Sequence, residues 1–478
     1  MMIFCFMFEP SCLHSSLFPK RAFFRACLLS AVFTASCSEE GGMDSLLNAA
    51  AGNDQNVQVG DEVTLDGGGS SDSQGNPFEF SWRFISKPGS SSSQLDNSTS
   101  EEATFVPDAP GKYRIELAIS NASQSLDTVS IFAFKVITVA GSYENIIPGS
   151  NVGVRTFKSA LNSLFATCEF SEIGGIEAKK IARYGEGSWH AMGCGLEEGS
   201  IYGMAEYEGE LYVTGDFEEI GCIPANNIAK WDGSAWHALG NGLTGGENPF
   251  GYALAVFDGE LYAGGQFTMA GNVNAVNIAK WDGSEWSAVG SIEDGSVRVL
   301  QVYKQKLYAG GYFTEVNGAD IRYITAYDGN DWSALGATGH LELKSVGAVR
   351  KMAVLNDVLY IAGNFSVSNE EISELSTWDG TQFSDFGRPF TLHPGNSIRD
   401  LKVIAGVLYI GGEFSSPVAA TPAKNILQWD GASWGVLDEG IAGTVLSIET
   451  FNGSIYIGGE FETAGGSPAE NISIWSED

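Results

Sequence analysis

The chain has 478 residues, 44% of them hydrophobic and 60 of them glycine, with a formal charge of −33. That apolar content excludes a mostly disordered chain, and so acidic a surface repels nucleic acid and anionic lipid, which removes both from the candidate partners. The length allows two or three domains, and the glycine suits turn-rich β structure.

Between Arg25 and Cys37 the run "ACLLSAVFTAS" is apolar but too short to cross a bilayer as a helix, so residues 1–36 read as a signal peptide. The closing "TASC" resembles a bacterial lipoprotein signal, although Thr34 stands where that pattern has leucine. The resemblance implies acylation of Cys37 as the mature N-terminus and an outer-membrane lipoprotein facing outward. Plain secretion after cleavage nearby is the alternative. Residues 37–47 then form an acidic, glycine-containing tether.

Residues 48–137 read as a sandwich of short strands. Tyr113, Ile115, Leu117 and Ile119 alternate with Arg114, Glu116, Ala118 and Ser120, the period of a half-buried strand, and Trp82 is the one tryptophan of this stretch. On "VGDEVTLDGGGSSDSQGNPFEFSW" and "PDAPGKYRIEL" it resembles a PKD (polycystic kidney disease) domain, which implies an immunoglobulin-like β-sandwich acting as an extracellular spacer or adhesive module. Asp72 and Asn76 could ligate calcium, but one carboxylate is little charge for such a cage, and a solvated turn is the simpler reading.

From 138 to 478 the chain repeats itself. The aromatic of each "LY" motif falls at Phe165, Tyr212, Tyr262, Tyr308, Tyr360, Tyr409 and Tyr456, at intervals of 46 to 52 residues. That period belongs to propeller blades. Each unit has four strand-like runs, for example "YALAVFD", "ELYAGGQF", "NIAKWD" and "SEWSAVG", with hairpin signals at Asp258-Gly259 and Asp282-Gly283. The seventh unit ends at "NISIWSED" without a fourth strand, while "SYENIIPG", residues 142–149, aligns with a fourth strand and precedes the first unit. The expected fold is therefore all-β, an Ig-like β-sandwich followed by a seven-bladed β-propeller closed by strand 142–149 beside Trp475. The "WDG" endings resemble WD-repeat propellers and the glycine pairs resemble Kelch propellers. The fuller likeness is to "LYxGGxF...NIAKWDG" repeats of bacterial surface and secreted proteins.

The tight turns share one face of such a ring, and the opposite face carries the connections from second to third strand and between blades. These vary, as in "GNGLTGGENPFG", "TEVNGADIR" and "SSPVAATPAK", which marks that face for recognition. Ten residues before each marker stand Arg155, Tyr202, Tyr252, Arg298, Arg350, Arg399 and Leu446, at the inner-strand start on that face. Such arginines could hold carboxylate or sulfate bidentately, or could pack between blades and pair with neighbouring acids. Ten of the eleven tryptophans and one phenylalanine per blade occupy repeat positions and read as inter-blade packing, whereas Phe250 and Phe390 interrupt polar loops and are stacking candidates.

Catalytic chemistry finds little support. His340 and His393 lie in separate inter-blade loops, without metal-ligand spacing, and no nucleophile motif or phosphate loop stands out; no metal or cofactor is expected. Cys194 and Cys222 fall on one face, where a disulfide and two free thiols are both open, and Cys168 has no evident partner. The expected function is a non-catalytic cell-surface binding or adhesion protein, a monomer, presenting a propeller face to a glycan or protein. The alternatives are a propeller hydrolase or lyase acting on extracellular polysaccharide, and a purely structural envelope protein.

Overall fold

The computed structural model describes residues 47–146, 148–336, 348–365, 373–386, 397–415 and 424–477. Among them there is no helix, and the chain is all-β.

In the N-terminal part, strands Gln55–Gln58, Gln124–Phe134, Gly111–Ser120 and Glu79–Ser86 form one sheet in that order, and Val63–Asp66 pairs with Glu102–Phe105 in a second. Tyr113, Ile115, Leu117 and Ile119 are fully buried against Leu65, Trp82 and Phe105, so the alternation in sequence is the inward face of a sandwich. The Tyr113 hydroxyl donates to the Ala109 carbonyl at 2.9 Å, a tyrosine corner that ties the strand to the turn before it.

The rest of the chain forms seven main sheets, each built on four antiparallel strands, two of which carry a fifth strand. Their inner strands begin at Thr156, Ile201, Phe250, Ser296, Val349, Ile398 and Ile441, and each packs on the next, the last against the first. The result is a seven-bladed propeller. Blade three is representative, with strands Phe250–Phe257, Glu260–Gln266, Ile278–Trp281 and Trp286–Ala288. Its first hairpin is a two-residue turn, with Asp258 at φ 50° and Gly259 at φ 78°, the positive pair that matches strand twist. The second hairpin differs from the expected two-residue turn. Trp281 and Trp286 are directly opposite, and Asp282 Oδ1 accepts the backbone N–H groups of Ser284 and Glu285, both at 2.8 Å, to cap a four-residue loop. The aspartates of the repeated "WDG" thus serve as turn caps.

Ring closure follows the expected pairing with narrower bounds. Gly141–Asn145 pairs with Ser473–Glu477, placing Tyr143 opposite Trp475 with ring centroids 4.8 Å apart. The strand stops short of the expected residue 149, where Pro148 has no N–H to continue a ladder. The Tyr143 hydroxyl donates to the Leu437 carbonyl of blade six at 3.2 Å, reproducing what Trp236, Trp286 and Trp332 do when their indole N–H groups bond the Met192, Leu239 and Val289 carbonyls of the preceding blades.

One element was not expected. Val136–Val139 runs parallel to Trp434–Leu437 as a fifth strand on blade six, so the residue-137 boundary falls inside a propeller strand. The long strand before it carries Phe132 and Phe134 into the core of blades five and six, where Phe134 meets Trp434 at 6.4 Å. Sandwich and ring therefore share a packed core at this junction.

Candidate functional site

The candidate site lies on the face opposite the tight hairpins, where each inner strand begins. In blades two to seven the pairing of inner and second strands slips by one residue, between Ile201 and Gly203, Gly251 and Ala253, Val297 and Val299, Val349 and Lys351, Ile398 and Asp400, and Val445 and Ser447. The skipped residues are Tyr202, Tyr252, Arg298, Arg350, Arg399 and Leu446, the positions singled out by the repeat; Arg155 immediately precedes the inner strand of blade one. A bulge leaves its extra residue out of the ladder and re-aims the side chain. Blades two to seven thus each release one side chain at the upper rim, and Arg155 stands at the corresponding place in blade one.

Four of these side chains form a continuous stack across blades one to four. The Arg155 guanidinium lies over the Tyr202 ring at 5.7 Å, the Tyr202 and Tyr252 rings are 5.4 Å apart, and the Arg298 guanidinium lies over Tyr252 at 5.2 Å. Stacking uses the face of a guanidinium and leaves its N–H groups, which lie in its plane, available to an acceptor. Arg298 is exposed, and among the described residues neither it nor Arg155 nor Arg399 makes a side-chain hydrogen bond or ion pair; the Nε atoms of Arg155 and Arg399 are buried without a partner. Arg350 is half-buried at its bulge. Phe250, half-buried, joins the stack 5.9 Å from Tyr252, and Phe390 lies outside the described residues.

Acids surround part of this ring. Asp216 accepts the Tyr202 hydroxyl at 3.0 Å, and burial together with that carboxylate pushes the Tyr202 phenol well above its ordinary range. Partial desolvation opposes the charge of the exposed Glu169, yet Lys180 at 2.8 Å, the Ser200 hydroxyl at 2.6 Å and the positive field of Arg155 hold its carboxyl below the usual range. Deeper along the inner strands, sequence reasoning missed a charged belt. Lys402 pairs with the buried Glu449 at 2.7 Å, Lys351 pairs with Asp400 at 3.1 Å, and burial with the neighbouring Lys402 lowers the Lys158 ammonium. Lys158, Lys402 and Glu449 lie directly opposite the markers Phe165, Tyr409 and Tyr456, so the same period could have found them.

The remaining candidates resolve into structure. The Asp72 carboxylate accepts the N–H groups of Gln74 and Asn76 and the Asn121 amide, a self-capped turn. Among the described residues no group of three or more His, Cys, Asp or Glu side chains is placed to hold a metal ion. His340 and His393 lie outside the described residues. The tryptophans ending third strands and beginning fourth strands pair across their hairpins, as Trp231 with Trp236 and Trp281 with Trp286, each at 5.3 Å. In blade four the within-blade connection expected to vary is the same short hairpin, Glu315–Val316 with Ala319–Asp320, found in blades one to three. Its counterparts in blades five and six, and Cys37, lie outside the described residues.

Cys194 and Cys222 are joined by a disulfide, with Cα atoms 5.6 Å apart, between the connection into blade two and that blade's short hairpin. The equivalent residues one blade on are Asn241 and Asn272, whose side-chain amides hydrogen-bond at 2.7 Å. Cys168 is half-buried and takes no part in that disulfide.

Residues 51–132 match a PKD-domain family model. Among solved structures, the chain is similar to the PKD domain of the KIAA 1837 protein (29% identity over 20% of this chain and 91% of that one, TM-score 0.17). It is also similar to a nucleoside hydrolase-related hypothetical protein from Saccharophagus degradans associated with carbohydrate metabolism (26% identity, 19% and 25%, TM-score 0.17). A third is the extracellular domain of a putative one-component system from B. thetaiotaomicron (11% identity, 70% and 39%, TM-score 0.42). The chain thus spans well under two thirds of the length of the last two. No curated protein matches it. Residues 51–132 form a PKD domain, joined on one chain to a seven-bladed ring of antiparallel sheets.

Proposed function

We propose that this chain is a non-catalytic binding protein of the outer bacterial envelope, anchored through Cys37 and holding a glycan or protein partner on the propeller face that carries the bulge residues. One observation carries the reading: Arg155, Arg298 and Arg399 are set on that rim with no hydrogen bond or ion pair among the described residues, in a chain with more than twice as many acids as bases. A purely structural arginine would be expected to pair with one of those acids, whereas a binding arginine must keep its N–H groups for the partner.

A polysaccharide hydrolase would need two carboxyl groups about 5 Å or more apart to flank a glycosidic bond. On this face Glu293 and Glu315 are directly opposite in register, and Glu293 raises the Glu315 carboxyl above its usual range. Two carboxyls held side by side on paired strands leave no room between them for a sugar. The test is affinity electrophoresis of the intact chain through gels containing extracellular polysaccharides. Retardation that disappears in an Arg155→Ala/Arg298→Ala double variant, and persists in Glu285→Ala on the hairpin face, supports the reading. Retardation indifferent to the rim substitutions overturns it.

A further inference from the structure

The ring of bulge residues is surrounded by a second ring with a different composition. The residue before each repeat phenylalanine, at the end of the second strand, is Glu169, Asp216, Gln266, Tyr312, Asn364, Glu413 and Glu460 in blades one to seven. These residues lie beside the inner strand two positions ahead of the bulge, as Gln266 opposite Phe250, Tyr312 opposite Ser296 and Glu460 opposite Thr444 show. Blades six, seven, one and two place a carboxylate there. Blades three, four and five place none.

The seven-fold repeat is therefore electrostatically lopsided. Near Arg155 stands Glu169, and in the blade of Arg399 stands Glu413. A cavity of about 850 Å³ opens where blade seven meets blade one and is lined by Glu460, Glu462 and Glu470, surroundings that oppose an anion. At that position the sector of Arg298 carries instead Gln266, Tyr312 and Asn364. The carboxylates in the rim connections of blade four are occupied: Asp294 accepts the Thr314 hydroxyl, Glu293 accepts the Ser291 hydroxyl, Glu315 faces Glu293, and Asp320 pairs with Arg322. None of them pairs with Arg298. Asp216, the one acid acting on Tyr252, is engaged by the Tyr202 hydroxyl and the Ser200 N–H.

Aromatic surface gathers in the same sector. Phe250 is half-buried beside Tyr252, and Tyr312 is 41% exposed, 6.2 Å from Tyr323. A guanidinium set over an aromatic ring, with open rings on the strands to either side, suits a ligand unit that has one anionic group next to a flat apolar surface. Granting that the rim is the recognition face, we infer that blades three to five bind a carboxylate-bearing sugar unit of an acidic polysaccharide. Arg298 takes the carboxylate through its in-plane N–H groups, and the C–H face of the pyranose rests on Phe250 or Tyr312. An acidic protein surface fits less well, because an aspartate or glutamate offers no flat C–H ring face beside its carboxylate to rest on Phe250 or Tyr312.

The test compares polygalacturonate, its methyl ester and dextran by titration calorimetry with the intact chain. Polygalacturonate is expected to bind, its ester at least about tenfold more weakly, and dextran not at all. Arg298→Gln should cost about tenfold or more, and Gln266→Glu, which imports the acid of the other sector, should cost as much. Arg155→Gln should cost less than either, with circular dichroism confirming the fold of each variant. Equal affinity for the ester overturns the carboxylate assignment, while a concurrent loss with Arg298→Gln would leave the rim as the recognition face. Equal losses from Arg155→Gln and Arg298→Gln overturn the sector. Binding of polyglutamate alone, dependent on Arg298, overturns the glycan in favour of an acidic protein partner, and binding of none of these probes overturns the inference.

Discussion

Blade three and blade seven are built to one plan from different stretches of chain. Blade three is continuous, and its fourth strand is held by an aspartate-capped hairpin and by Trp286 bonding to the previous blade. Blade seven receives its fourth strand from residues 141–145, more than 300 positions away, with Tyr143 in the tryptophan's place. Here a phenol can do an indole's work, because what matters is a ring against Trp475 and a donor toward the Leu437 carbonyl. What blade seven lacks is the hairpin, so its closure depends on the chain leaving the sandwich through Val136–Val139 on blade six.

That dependence is broken most severely at the junction. Phe134→Ala removes a side chain only 6% exposed between sandwich and blade six and should cost about 3–4 kcal/mol, seen as one earlier unfolding transition in urea. Two separate transitions, with the ring's unmoved, would show that the sandwich is merely attached.

Blades two and three sharpen the comparison, since the same rim contact is covalent in one and an amide pair in the other. Reducing Cys194–Cys222 should cost about 2–4 kcal/mol, and mass measurement with and without reductant should show two thiols appear. The double variant Cys194→Asn/Cys222→Asn, which copies Asn241 and Asn272, should recover about 1 kcal/mol of that loss. A double alanine variant of equal stability would deny the equivalence.

A milder change tests the seam itself. Tyr143→Phe keeps the ring, removes the bond to Leu437 and should cost about 1 kcal/mol, with amide exchange quickening along 141–145 and 473–477 before anywhere in blade three.

The smallest effect concerns acid. In blade five Asp379 caps its hairpin through the Thr381 hydroxyl and the N–H groups of Thr381 and Gln382, which holds its carboxyl down at about 2 against an ordinary 3.8. A depressed carboxyl stabilises the fold above its unfolded value and loses that contribution as pH falls through the folded one. Between pH 4 and pH 2 the hairpin of blade five should therefore open ahead of the seam of blade seven, which has no such cap. Asp379→Asn should remove the pH dependence there, and exchange rates that stay flat in the parent chain would refute the assignment.

Much of this was legible in the sequence. A period near 49 residues, four apolar runs per unit and a missing final strand specify seven blades and a closing segment, because each blade repeats the same local chemistry. The positions of Arg155, Tyr202, Tyr252 and Arg298 followed from the same counting. The bulges that release Tyr202, Tyr252 and Arg298 did not, since a one-residue slip in pairing leaves no mark in composition. The fifth strand on blade six, the stack from Arg155 to Arg298 and the meeting of Cys194 with Cys222 are likewise contacts between segments separated along the chain. Sequence by itself determined what each blade is, since strand, turn and cap are chosen by neighbours a few residues apart. Only the tertiary structure decided what the blades do to one another, since bringing adjacent rims within 6 Å is a property of the closed ring and of no single repeat.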